Sequence, residues 1–190
     1  MKTKSFILII LLSLPLGAQC LDKGAVTSGT FNIHLDNDVF LCSFLDRYYS
    51  SGVKLTWISP VIKNYKAVPI LKSLPFVNKP GFTHALSISL GHDIFIPTKI
   101  TTSELLEDDH PYAGMLFFEF GIHSKSQDRM ANLEIDLGII GPAAYAREIQ
   151  TAVHKFLHSD LPEGWQHQLK NELAFGVMYE RKWRVFFFSY

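Results

Sequence analysis

The sequence predicts an all-β protein, a transmembrane antiparallel β-barrel of about seven strands with one loop helix at about 143–157. Three observations carry that expectation. Apolar residues recur at every second position in run after run. A secretory-type apolar stretch precedes those runs, and aromatic residues gather at their ends.

The N-terminus carries Lys2 and Lys4, then the apolar run Phe6 to Leu16, then small residues as far as Cys20. This pattern predicts a signal peptide over residues 1–20, too short to span a bilayer as a helix. Cleavage after Ala18 and cleavage after Cys20 both fit. The first leaves Cys20 and Cys42 able to pair in an oxidising compartment, and the second leaves Cys42 alone. No cysteine spacing suggests a zinc or redox site. Residues 21–190 then form one exported domain. The 18 basic and 18 acidic residues balance, which gives no support for a nucleic-acid partner.

The alternation begins with Phe31, Ile33 and Leu35, set against Asn32, His34 and Asp36. It resumes with Val53, Leu55 and Trp57, then Leu86, Ile88 and Leu90, then Leu133, Ile135 and Leu137. Each run has one apolar face and one polar or small face, as a half-buried strand requires. Met115 to His123, Asn171 to Tyr179 and Val185 to Tyr190 complete the expected strands. Four prolines between Pro60 and Pro80 predict a long loop. No later segment reaches 18 consecutive apolar residues, so no spanning helix is expected after the N-terminal stretch.

Two architectures share this pattern. A soluble exported domain turns its apolar faces inward and binds a ligand, whereas an outer-membrane barrel turns them towards lipid. Tyr48, Tyr49, Trp57, Tyr112, Trp165 and Trp183 at strand ends favour the barrel. Glu134, Asp136 and Glu180 on the polar faces, and the terminal Phe186-Phe187-Phe188-Ser189-Tyr190, point the same way.

The exception to the β pattern is Gly141 to His154. Pro142 suits a helix start because its missing N–H is an orphan there anyway. Gln150 and His154, four apart, share a helix face. A lone helical histidine is more often structural than catalytic. Here Gln150 lies beside it and Asp160 follows six residues later, an arrangement suited to a general base acting on water. Asn37-Asp38, Asp46-Arg47-Tyr48-Tyr49-Ser50-Ser51-Gly52 and Asp109-His110-Pro111-Tyr112-Ala113-Gly114 all fall at strand ends or loops, where sites tend to lie. Singly they read as a turn, a local ion pair and a capped corner. Together, Asp38, Asp160, Ser50 and Asn37 offer hard oxygen donors for a cation such as calcium, which stabilises an oxyanion. No Gly-x-Ser-x-Gly elbow is present.

In order along the chain, Asn37-Asp38-Val39-Phe40, the Asp46–Gly52 segment, Leu90-Gly91-His92-Asp93-Ile94-Phe95 and the Asp109–Gly114 segment form one series. Asp136 to Ala143, Gln150, His154, Gly164-Trp165 and Gln168-Leu169 with Asn171-Glu172 extend it. The series resembles the outer-membrane lipid A deacylases, which remove the 3′-linked acyloxyacyl group of lipopolysaccharide. The resemblance implies a monomeric, calcium-dependent esterase in the outer membrane acting on lipid A. On it, His154 activates water, Asn37 and Ser50 belong to the active site, Gln150 supports it, and Asp38 and Asp160 hold the metal.

Three departures accompany the resemblance. His110 replaces an arginine, removing a permanent charge, and Lys99 is the only base between Pro97 and Glu107. The family barrel has roughly twelve strands, so the sequence predicts a barrel stopped partway, with an inactive remnant as the rival reading.

Overall fold

The computed structural model describes residues 28–37, 49–62 and 81–185, and for Asn37 the backbone alone. The expected signal peptide, Cys20, Cys42, Asp38, the Asp46–Tyr48 stretch, most of the proline-rich loop and residues 186–190 of the expected seventh strand lie outside them.

Among the described residues six strands form one antiparallel sheet in chain order. They are β1 (Thr30–Asn37), β2 (Tyr49–Ile58), β3 (Thr83–Phe95), β4 (Ala113–Lys125), β5 (Arg129–Ile140) and β6 (Glu172–Trp183). Each strand pairs with the next, so the sheet is a meander without crossovers. The connections at one end run over 38–48, 96–112 and 141–171. At the other end β4 and β5 are joined by the short turn 126–128, closed by the Ser126 N–H donating to the Arg129 carbonyl at 2.8 Å.

The register makes the alternation legible across the whole sheet. Phe31, Trp57, Ile88, Phe120, Ile135 and Val177 stand opposite one another in one row. Ile33, Leu55, Leu90, Phe118, Leu137 and Phe175 form the next. Five of the six residues in the first row are between 46% and 58% exposed, because nothing among the described residues covers this face. A soluble sheet would bury such rows; a sheet whose apolar face meets lipid has no need to. No described helix is long and apolar enough to cross a membrane.

The opposite face is a polar layer. The Lys54 ammonium meets Glu119 Oε2 at 2.5 Å, and Ser89 donates to Glu119 Oε1 at 2.8 Å. Thr56 and Ser89 share a hydroxyl hydrogen bond of 2.9 Å. One strand turn away His123 bridges Ser87 and Asn132, and Asn132 donates to Glu180. Glu119 is only 6% exposed, and a carboxylate so buried persists when a cation and a donor both meet it. This is the lumen side of a barrel wall.

The helical segment differs from its expected bounds. Pro142–Ala144 is a single 3-10 turn, and the α-helix, α1, spans Ala146–Leu157. Tyr145 separates them in the left-handed conformation (φ 57°). Its N–H closes the first turn on Pro142, and its carbonyl accepts the first α-helical bond, from Ile149. Pro142 therefore opens the 3-10 turn rather than α1. Gly141 (φ 102°) lies against the Lys170 backbone, where a Cβ would collide, so both its conformation and its space demand glycine.

Candidate active site

Where α1 sits follows from the pleat. Side chains alternate across a strand, so Gly114 faces the same side as Leu116, Phe118 and Phe120. A Cβ at Gly114 would strike the Ala146 side chain and lie 3.3 Å from that of Ala144. The helix therefore packs on the apolar, outward face of the wall at its long-loop end. His92, from the same outward row as Val53 and Leu116, agrees: its Nε2–H donates to the Ala144 carbonyl at 2.9 Å.

Behind α1 lies a small core of Ile94, Tyr112, Ala146 and Trp165. Gln150 is 3% exposed, and its Oε1 accepts the Trp165 indole N–H at 2.8 Å. The Tyr112 and Trp165 rings lie 4.7 Å apart, and the Tyr112 hydroxyl donates to the Ile100 carbonyl at 3.1 Å. Burial pushes the Tyr112 phenol up from its ordinary value. Gln150 thus ties α1 to the 96–112 connection. Its Nε2 has no partner among the described residues.

His154, one turn on, is half-buried. Its Nδ1 lies 2.5 Å from the backbone carbonyl of Asp160. A carbonyl only accepts, so Nδ1 carries the proton, and in the neutral ring Nε2 keeps the free lone pair. The chain reaches that position because His158 turns left-handed (φ 53°) at the helix end, and Ser159 N–H bonds back to the His154 carbonyl at 3.0 Å. Asp160 thus touches His154 through its main chain, while its residue surface is exposed.

Ser50 occupies an irregular position. The β2–β3 register runs Tyr49 to Phe95 and then Ser51 to Ile94, so Ser50 is the bulged residue. Bulges re-aim side chains at barrel rims. Here Tyr49 is swung to the lumen side, where its hydroxyl meets Asp93 at 3.3 Å and its ring meets Phe95 edge-on at 5.5 Å. Asn37 stands opposite Ser51 in the β1–β2 register. Asn37, Ser50 and the helix that carries His154 thus lie at the same end of the sheet. No hydrogen bond among the described residues joins Ser50 to Gln150 or His154. Nor do three His, Cys, Asp or Glu side chains converge there as a metal site would need; Asp38 lies outside these residues.

His110 stacks on Phe95 with centroids 6.0 Å apart, and its Nδ1–H donates to the Pro111 carbonyl at 2.8 Å. Asp109 closes the base of the same connection. Burial alone would raise its pKa, but N–H groups of His110 and Thr98 and the Thr98 hydroxyl hold it below the usual carboxylate range. A shallow open cleft between this connection and 164–167 is lined by Lys99, Leu105, Leu106, His110, Tyr112 and His167, with none of the predicted site residues among them. Gly114, His92 and Trp165 have positioning roles that sequence reasoning quoted within motifs but did not assign. A histidine in an otherwise apolar row was the available signal.

The family model described as Outer membrane protein LpxR matches residues 6–189. The chain belongs to that family. LpxR from Salmonella typhimurium shares the fold, with a TM-score of 0.59 at 18% identity over 79% of this chain and 49% of that one. This chain therefore spans about half the length of that LpxR structure. No curated protein matches it. As an LpxR-family protein it is an outer-membrane protein, and its outward apolar rows are the surface that meets lipid.

Proposed function

We propose that this chain is an outer-membrane esterase that removes the 3′-linked acyloxyacyl chain from lipid A, working as a monomer with His154 as general base. The observation that carries the reading is the bond from His154 Nδ1 to the Asp160 carbonyl, which leaves Nε2 as the proton acceptor. A second supports it: α1 stands on the lipid side of the wall, so an ester in the outer leaflet reaches His154 without entering the lumen.

In the proposed reaction Nε2 takes a proton from water as the oxygen attacks the ester carbonyl. The tetrahedral oxyanion collapses, the ester C–O bond breaks, and the imidazolium returns the proton to the departing alkoxide. The acyl chain leaves as a carboxylic acid. Asn37 and Ser50 would supply polar groups to the oxyanion from the neighbouring strand ends, and Gln150 holds the helix in place. Calcium belongs to the same proposal, with the carboxylates of Asp38 and Asp160 as hard oxygen ligands and Lewis-acid stabilisation of the oxyanion as its contribution.

The test is mass spectrometry of lipid A from cells making each form. General-base catalysis contributes about 10²–10⁴-fold, so His154→Ala should lose deacylation by that factor while still fractionating with outer membranes. Asp160→Ala keeps the carbonyl that orients His154, so it should weaken the response to calcium without releasing the histidine. Undiminished deacylation in His154→Ala refutes the base assignment. Lipid A left unchanged by the wild type would favour a barrel that keeps the motifs without the chemistry.

A further inference from the structure

The wall-contacting face of α1 is made by Ala146 and Gln150, which are buried. At about 100° per residue, the apolar flank of Ile149, Val153 and Phe156 runs beside that contact face, and His154 lies on its other side. Nothing among the described residues covers that apolar flank: Phe156 is 81% exposed, and Ile149 and Val153 are also exposed. A helix on a soluble domain turns such a stripe onto its core. Here the stripe is left open beside the wall, while Arg147, Glu148 and Lys155 take the far flank.

We propose that α1 is an interfacial helix whose Ile149–Val153–Phe156 flank docks among the acyl chains of the outer leaflet. Continuity with the lipid-facing surface argues for that occupant. Gly114, on which the helix rests, points the same way as Leu116 and Phe118, and the upper row of that face, Leu35, Val53, Leu116, Ile139 and Leu173, lies next to it. Leu173 is 91% exposed, so among the described residues no segment separates helix and belt at that edge. An apolar flank backed by a charged one is the composition of a helix lying in the plane of a membrane interface. The inference rests on the outer-membrane location alone and holds whether or not the chain hydrolyses an ester. If it does, the docked helix also sets the depth at which His154 meets lipid.

The experiment places the photoreactive residue p-benzoylphenylalanine at Ile149 or Phe156, and in parallel at Glu148 or Lys155, in the full chain in living cells. All four positions are exposed, so the added ring displaces no packing, and Val153 serves if either apolar variant fails to reach the outer membrane. After irradiation, Ile149 and Phe156 should yield lipopolysaccharide or phospholipid adducts, and Glu148 and Lys155 none. Equal labelling from both flanks, no lipid adduct from the apolar one, or a protein adduct at Phe156 overturns the proposal. Because the readout is crosslinking, a catalytically silent protein tests it equally well.

Discussion

Gly114→Ala probes the contact on which the placement of His154 depends. The new Cβ would lie 3.3 Å from the Ala144 Cβ and 3.4 Å from the Ala146 Cα, and closer still to the Ala146 Cβ. Carbon atoms settle at about 3.5–4.0 Å, so the helix must retreat by on the order of 1 Å. Overpacking of this kind costs about 1–3 kcal/mol. Charged to the local opening of α1, that is about a 5- to 150-fold rise in hydrogen exchange across 146–157, with the strands unaffected. A displacement of about 1 Å also lowers a positioned reaction by roughly 10²-fold, so lipid A deacylation should fall by that order if His154 is the base. Ala146→Gly removes the obstructing methyl, and the double variant should regain most of the protection, less the roughly 1 kcal/mol that glycine loses in a helix. Unchanged exchange in Gly114→Ala, or no recovery in the double variant, would refute the packing of α1 on the outward face.

Trp165→Phe keeps a ring beside Tyr112 but removes the indole donor to Gln150. It should weaken the docking of α1 by about 1–3 kcal/mol, read by the same exchange measurement, with Gln150→Leu in the same chain restoring part of the loss. Lys54→Met strands Glu119 in the lumen layer, opposite Asp136 and diagonal to Glu134. The expected loss is about 3–5 kcal/mol in urea unfolding from bilayers, mostly recovered by adding Glu119→Gln. Asp109, held below its ordinary range, contributes stability that is complete above the unfolded value and lost as pH falls through the folded one. Proteolysis of 96–112 should therefore accelerate below about pH 4 in the wild type, whereas Asp109→Asn should show no such step.

Much of this protein was legible in the sequence because strand periodicity is a local property. Phe31-x-Ile33-x-Leu35 or Leu133-x-Ile135-x-Leu137 announces a two-faced strand wherever it occurs. With four such runs, three further expected strands and a secretory-type N-terminal stretch, the barrel reading needed only the choice of which face meets solvent. The helix was legible too, but its start was misplaced: Tyr145 in a left-handed conformation is a non-glycine exception that no propensity anticipates, and Pro142 satisfied the start rule for a different turn. Tertiary structure alone decided which way the helix turned. The side of the wall that α1 occupies depends on Gly114 meeting Ala146, residues far apart in sequence whose contact is set by the β3–β4–β5 register. The tautomer of His154 depends on a chain reversal that brings the Asp160 carbonyl, not its carboxylate, to Nδ1. Residue type told which groups can do chemistry; only the fold, through long-range register and packing, told which atoms face each other and on which side of the membrane wall they stand.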